Sequence, residues 1–186
     1  EKCVESARIG GYLVIADEFK TTFGLQNTPI DIEMYDNSHT MGDCQVSGLV
    51  RYTNGKKNKS EYRKFNIKTV VGPDDYASFD EVLRRRFTRL LKERKTLPNL
   101  VIIDGGKGQL SVAKRVFEEL SLLDKVDLLS IGKNSSHKSD IIHFCDGNSV
   151  KFENSKFFNL LATIQDEVHR FVITFHRKKR SKSLMK

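Results

Sequence analysis

Apolar and polar positions follow two different periods along the chain, and the changes of period divide it into segments. Residues 1–25 carry apolar side chains at loose helical spacing, which Gly10 and Gly11 weaken and Gly24 ends. A glycine inside a helix costs about 1 kcal/mol relative to alanine, whereas a glycine after the last turn is a common helix end. We therefore predict a helical appendage and linker over 1–28.

Three short segments with a two-residue alternation follow, and that is the period of a β-strand. They cover 30–36, 44–53 and 61–68, and the second runs into Asn54-Gly55, a pair typical of a tight hairpin turn. Successive strands with short connections predict an antiparallel meander.

The middle of the chain alternates helical segments with wholly apolar runs. A helix is predicted from its cap, Asp74 or Asp75, to the stop at Pro98, and a second helix follows a glycine-rich turn. The apolar runs at 100–104 and 126–131 suit central strands that are covered on both faces. Strand, helix and strand in this order predict a parallel crossover unit.

A hairpin and a long helix complete the pattern. Segments 141–144 and 150–152 flank the turn pair Asp146-Gly147, and an apolar stripe at helical spacing starts near residue 155. The complete order is typical of an α/β, ribonuclease-H-like fold: a mixed five-stranded sheet, three antiparallel strands and then parallel strands, flanked by helices. This domain is predicted over 29–182, and a basic tail follows at 183–186.

Composition adds a preference for a polyanionic partner. The chain of 186 residues is 38% hydrophobic and 30% charged, and its formal net charge is +8. Two dense basic runs, at 84–86 and 177–180, carry much of that charge. One such run is often a solvated helix face or tail, but two in one chain favour nucleic acid.

Membrane and disulfide chemistry are not indicated. No apolar run approaches the roughly 18 residues that a membrane span requires, and no signal peptide is visible. Cys3, Cys44 and Cys145 lie far apart, and none has the spacing of a zinc site. We expect reduced thiols in a cytoplasmic protein.

Two predicted strands end in aspartate, Asp36 and Asp104. If these strands are neighbours, both carboxylates lie at one edge of the sheet. Two anions about 4 Å apart repel by about 4 kcal/mol at an effective dielectric of 20, and a divalent cation such as Mg²⁺ reverses that sign. An aspartate after a strand is also a common loop starter or helix cap, so each residue alone is weak evidence.

The turn after Asp104 contains three glycines and Lys107. Gly108 stands where a P-loop needs Ser or Thr, so nucleotide binding is disfavoured and Lys107 is predicted to meet a DNA phosphate. Asp75 is either a helix cap or a supplementary carboxylate of a metal site. His169 borders the last apolar stripe, where it could be filler, a metal ligand or a proton carrier.

Five stretches resemble the C-terminal endonuclease domain of the C subunit of the bacterial UvrABC excision nuclease. They occur in that family's order and cover roughly 30–182: 35–42 (YDNSHTMG), 61–68 (EYRKFNIK), 74–76 (DDY), 103–110 (IDGGKGQL), and 166–171 (DEVHRF) with 176–180 (HRKKR). The resemblance implies a ribonuclease-H-like nuclease that cuts damaged double-stranded DNA 5′ to a lesion. It also implies the UvrB subunit as partner, with UvrA acting upstream.

The resemblance further implies a catalytic set of Asp36, Asp104 and His169, which would hold Mg²⁺ or Mn²⁺, with Asp75 as a further acidic residue. Whether His169 binds metal or moves a proton stays open, as does the number of ions. The residues assigned to DNA contact are Arg84, Arg85, Lys107, Arg170, Arg177, Lys178, Lys179 and Arg180.

Three other interpretations compete with this one. The first is a non-catalytic nucleic-acid-binding domain of the same fold, and the second is a related enzyme directed at RNA–DNA hybrids or branched DNA. The third is a small-molecule phosphotransferase built on the glycine turn. The loop at 133–139 lacks the pattern expected of the family.

Overall fold

A computed structural model describes residues 2–38, 45–69, 74–133 and 140–184, with side chains described from 4 to 175 within these ranges. The elements are α1 (Lys2–Phe23), β1 (Asp31–Ser38), β2 (Val46–Thr53), β3 (Lys56–Lys57), a 3-10 turn (Lys59–Glu61), β4 (Arg63–Asn66), α2 (Asp75–Lys92), β5 (Leu100–Asp104), α3 (Lys107–Glu119), β6 (Asp127–Lys133), β7 (Asp140–Phe144), β8 (Ser149–Lys151) and α4 (Lys156–Leu184).

One mixed sheet organises the molecule, as the apolar pattern predicts. Its order is β3-β2-β1-β5-β6-β7-β8, and β4 also pairs with β2. β1, β5 and β6 are parallel neighbours, and the other pairs are antiparallel. Hydrogen bonding gives eight strands in the described ranges rather than five, because the short β3 follows the Asn54-Gly55 turn and the last hairpin adds β7 and β8. β4 lies within the predicted third strand, 61–68, and pairs antiparallel with β2.

Two apolar layers cover the sheet. On one face, α1 and α4 bury alternate residues of the central strands, among them Ile32, Met34 and Ile102. On the other face, α2 and α3 bury the intervening residues, among them Tyr35 and Ile103. Because strand side chains alternate between faces, each central strand needs apolar residues throughout, and this explains the wholly apolar run in β5.

The predicted hairpin turn, helix cap and helix end are present in the structure. Asn54 and Gly55 both have positive φ, 50° and 73°, as a two-residue hairpin turn requires. Asp74 caps α2 by accepting a hydrogen bond from the Ala77 amide. Gly24, with φ of 66°, follows the end of α1.

The first helix packs onto the sheet. Ala16 and Phe19 are buried, and the ring of Phe19 stacks on Phe157 of α4 with 3.9 Å between centroids. The backbone amides of Gln26 and Asn27 donate to the Asp127 carboxylate, which anchors the linker after α1. The domain boundary at 28 stays a prediction.

Some predicted features lie outside the described residues: Cys44, the polar residues His39 and Thr40, the turn at Gly72-Pro73, the loop at 134–139, and the side chains of Cys3 and 177–180. Cys145 is a free thiol. Among the described helices, none combines the length and the apolar character that a membrane span needs.

Candidate metal centre

Asp36, Asp104 and His169 converge at one edge of the sheet. Each offers one ligand atom, and these three atoms lie within 4.8 Å of one another. The parallel register pairs Tyr35 with Ile103, so the residues that follow them, Asp36 and Asp104, are neighbours on β1 and β5. Both share a sheet face with the core under α4, and α4 carries His169.

The histidine contacts one of the two carboxylates directly. His169 Nδ1 lies 3.1 Å from Asp36 Oδ2. The imidazole is 63% exposed and the Asp36 side chain only 9%, so the histidine lies on the solvent side of that carboxylate. The second ring nitrogen is therefore available to a ligand or to water at neutral pH.

Gln165 belongs to this site and is absent from the sequence prediction. Its Nε2 donates a 2.9 Å hydrogen bond to Asp104 Oδ1. Gln165 and His169 are four residues apart on α4, so they lie on the same face of the helix. That spacing was the one available signal, but an uncharged residue at helical spacing did not stand out.

A glycine lets α4 approach the site. Gly48 of β2 is the register partner of Asp36. A Cβ at position 48 would lie 2.7 Å from Val172 Cγ2 and 3.2 Å from Phe171 Cδ1, closer than such atoms pack. The absent side chain therefore sets the height of α4 above the sheet next to His169.

Burial and mutual repulsion disfavour ionisation of the two aspartates. The pKa of Asp36 is raised to about 6, by burial first and by the charge of Asp104 second, while His169 acts in the opposite direction. The pKa of Asp104 is also raised, chiefly by burial, with the Gln165 hydrogen bond opposing the rise. Two oxygen donors and one imidazole nitrogen, in a place where negative charge is destabilised, fit a divalent cation such as Mg²⁺ or Mn²⁺.

Asp75 lies beside this group but outside it. It is the first residue of α2, and the side-chain nitrogen of Asn37, Nδ2, lies 3.4 Å from Asp75 Oδ1. Asn37 directly follows Asp36, so Asp75 connects to the site through this side chain. Among the described residues, the group that could hold a metal contains Asp36, Asp104 and His169 without Asp75.

Three of the predicted basic residues already form ion pairs within the chain. Arg84 pairs with Asp80 and Glu119. Arg85 pairs with Glu81, and Arg170 makes two hydrogen bonds to Glu167. Arg84 and Arg85 come nine and ten residues after Asp75, or about 14 Å along α2 at 1.5 Å per residue.

The third arginine of that run, Arg86, is buried rather than on a solvated face. Its guanidinium lies 2.5 Å from Glu33 Oε1, and Glu33 has no exposed surface. The charge of Arg86 therefore belongs to the core between α2 and the sheet. A run of arginines on a helix does not share one environment, because successive residues point 100° apart.

The glycine turn before α3 serves close packing. Lys107 begins α3 and is exposed. A Cβ at Gly108 would collide with the Tyr76 hydroxyl, and a Cβ at Gly132 would lie 3.1 Å from the Gly105 carbonyl oxygen. The glycines of this turn therefore allow close packing against other parts of the same chain.

Comparison with known proteins identifies the family of the chain. Residues 20–173 match the family model described as the UvrC RNAse H endonuclease domain. The UvrABC system protein C of Streptococcus gordonii is 50% identical over 158 residues, which is 84% of this chain and 26% of that protein. The corresponding protein of Streptococcus pneumoniae serotype 2 is 51% identical with the same coverage.

Superposition on a solved structure of human ENDOV covers 78% of this chain and 72% of the ENDOV chain, with a TM-score of 0.42 and 16% sequence identity. The chain spans 26% of the length of the curated relatives it matches. The family model covers most of the chain and includes Asp36, Asp104 and His169. The chain therefore belongs to the UvrC family and carries its RNase H endonuclease domain.

Proposed function

We propose that this endonuclease domain makes the 5′ incision in nucleotide excision repair, by hydrolysis of one phosphodiester bond in damaged double-stranded DNA. The observation that carries the proposal is the convergence of Asp36, Asp104 and His169, three residues far apart in sequence, within 4.8 Å. The basic character of the chain, with a net charge of +8, suits a polyanionic substrate.

In this proposal Asp36 and Asp104 hold the cation, Mg²⁺ or Mn²⁺, and His169 is its third ligand or a proton carrier. A divalent ion bound there supplies Lewis-acid polarisation of the phosphodiester and a lowered pKa for water. Gln165 holds the Asp104 carboxylate through one oxygen, which leaves the other oxygen for the cation. Asp75 acts on the site through Asn37.

The exposed imidazole of His169 suits proton transfer, because one nitrogen faces Asp36 and the other is accessible. The carboxylate of Asp36 would keep the ring oriented while the free nitrogen exchanges a proton with water.

DNA contacts are assigned to exposed cations around this edge. Lys107 stands at the start of α3, directly after the strand that ends in Asp104. Arg170 is 63% exposed and adjacent to His169. The run at 177–180 follows on the same helix, and it continues the proposed path. Arg84 and Arg85 would meet DNA farther from the scissile bond.

The proposal extends to the assembly. The domain would act within a longer chain, with UvrB as its partner and UvrA acting upstream, in the cytoplasm. The nuclease unit would occupy 29–182, joined through residues 1–28 to the preceding part of the protein, with 183–186 as a basic tail.

Cleavage of defined substrates tests the function. The domain is incubated with Mn²⁺ and a nicked or lesion-bearing DNA duplex, an RNA–DNA hybrid or a branched DNA. We expect cutting of the DNA duplex, loss of cutting in Asp104→Asn, and unchanged cutting in Asp146→Asn, whose aspartate lies in the β7–β8 turn. Preference for the hybrid or the branched DNA would contradict the repair assignment, and equal cutting by Asp104→Asn would contradict the site.

A further inference from the structure

An ion pair adjoins the metal-site residues on the side of β6. Lys133 is the last residue of β6, Asp140 is the first residue of β7, and the two are register partners. Their side chains also meet, since Lys133 Nζ lies 2.6 Å from Asp140 Oδ1. Neither residue is part of the group formed by Asp36, Asp104 and His169.

The sheet register places Lys133 beside Asp104. Asp104 is paired with Ile131 on the neighbouring parallel strand, and Lys133 follows Ile131 by two residues. Side chains two residues apart on a strand share a face and lie about 6.6 Å apart along it. Ile131 belongs to the core under α4, so Lys133 extends from the face that carries Asp104, at the same edge of the sheet.

The charges of Lys133 and Asp104 influence one another. The pKa of Lys133 is raised, first by its hydrogen bond to Asp140 and then by the charges of Asp140, Asp104 and Asp166. The pKa of Asp104 is raised mainly by burial, and the charge of Lys133 is among the influences that oppose the rise. Lys133 is therefore a cation of the site even though its hydrogen bond is to Asp140.

Lys133 is free to change partners. Its side chain is 57% exposed and that of Asp140 is 22% exposed. Exposed ion pairs contribute only about 0–1 kcal/mol to stability, so exchange of Asp140 for another anion costs little. The pair with Asp140 keeps the ammonium close to the edge without burying it.

We propose that Lys133 is a resident cation of the active site, which binds an oxygen of the scissile phosphodiester beside Asp104, where a second divalent ion would otherwise stand. The inference rests on the proposed function and specifies its ligand. One divalent ion balances the charges of Asp36 and Asp104, and Lys133 adds a positive charge that the phosphodiester shares with Asp140. The site needs one ion on this account.

Substitution of the lysine tests the proposal. Lys133→Met removes the charge and keeps the length of the side chain, Lys133→Arg keeps the charge, and Lys151→Met is the matched control in β8. Three quantities are measured for each: single-turnover cleavage of a DNA duplex with Mn²⁺, Mn²⁺ affinity by calorimetry without DNA, and the salt dependence of duplex binding in Ca²⁺.

For Lys133→Met we expect cleavage about 10²- to 10³-fold slower, as on loss of one preorganised donor to a transition-state charge. Mn²⁺ affinity should stay equal or rise by up to about tenfold, because a neighbouring positive charge is gone. The slope of log affinity against log salt should fall by about 1, the value for one lost phosphate contact. Lys133→Arg should recover most of the rate, and Lys151→Met should match the unsubstituted domain.

Two outcomes would overturn the inference. One is a Lys133→Met variant that cleaves at the normal rate with an unchanged salt slope. The other is a variant that loses Mn²⁺ affinity and cleavage together, since that would give Lys133 only a structural role. Failure of the unsubstituted domain to cut DNA would overturn the proposed function instead. The Mn²⁺ calorimetry and the salt dependence of duplex binding would still test the role of Lys133.

Discussion

At the scale of single residues, the site is built from carboxylates that are unfavourable without a cation. Asp36 is 7% exposed, and its pKa is raised from 3.8 to about 6 by burial and by Asp104. In the unfolded chain it loses its proton near pH 4, but in the folded protein it keeps that proton to about pH 6. The folded domain is therefore destabilised relative to the unfolded chain as the pH rises above about 4. The loss reaches about 3 kcal/mol once the pH is above about 6.

Removal of this charge should stabilise the metal-free domain. We expect Asp36→Asn to raise the melting temperature at pH 8, where the unsubstituted carboxylate is ionised, and to change it little at pH 4, where both forms are neutral. Thermal unfolding with a chelator measures the effect, and Asp124→Asn is the control at an exposed position. A stabilisation at pH 4 equal to that at pH 8 would contradict the charge explanation.

Three residues of the candidate site could be predicted from the sequence, and two others could not. Asp36, Asp104 and His169 could be selected because acidic strand ends and the family motifs mark them. Gln165 could not, because its role depends on the rotation of α4 about its axis. Lys133 was noted only as the start of a loop without a familiar pattern, since its closeness to Asp104 comes from strand pairing.

At the scale of elements, the approach of α4 to β2 decides where His169 stands. Gly48 is the close contact, with Val172 Cγ2 2.7 Å from the place of a Cβ. The helix continues to Leu184. A change at Gly48 is therefore a change in the height of α4 and of the imidazole that it carries.

A larger residue at position 48 should displace the helix. We expect Gly48→Val to destabilise the domain by about 1–3 kcal/mol, the usual range for overpacking, and to weaken Mn²⁺ binding. Val172→Ala should restore part of both losses when it is combined with Gly48→Val, because the two side chains compete for one space. Denaturant unfolding and calorimetry give the two quantities. Equal losses with and without Val172→Ala would argue against this contact.

Element boundaries were less predictable than element types. The strand over 100–104 and the hairpin at Asn54-Gly55 were predicted correctly, because apolar runs and positive-φ turn pairs are local signals. The third strand is predicted over 61–68, but β4 covers only Arg63–Asn66, because the 3-10 turn extends to Glu61. Which residues pair with β2 is settled by tertiary packing, and alternation along one segment does not reveal it.

At the scale of the whole molecule, part of the positive charge already forms ion pairs within the chain. Arg84 and Arg85 already hold acidic partners. The run at 177–180 lies on α4 eight to eleven residues beyond His169, or about 12–16 Å along the axis. That distance corresponds to a few nucleotides of a DNA backbone that leaves the metal site.

Salt dependence should report this difference. If the domain contacts roughly 4–6 phosphates, log affinity should fall against log salt with a slope near −4 to −5. Replacement of Arg177, Lys178, Lys179 and Arg180 by serine should reduce that slope by about 2–4. Replacement of Arg84 and Arg85 should change it less, because Arg84 holds two carboxylates and the partner of Arg85, Glu81, is only 8% exposed. Fluorescence anisotropy with labelled duplex measures the salt slope of each variant. If replacement of Arg84 and Arg85 lowers the slope as much as replacement of 177–180, or more, the proposed DNA path is contradicted.

The most direct test of the central claim is a crystal structure of the domain soaked with Mn²⁺, read by anomalous scattering at the manganese edge. We expect a peak within bonding distance of Asp36, Asp104 and His169 together, and no peak in Asp104→Asn crystals. A peak that touches none or only one of these side chains, or a soaked crystal without a peak at this edge of the sheet, would contradict it.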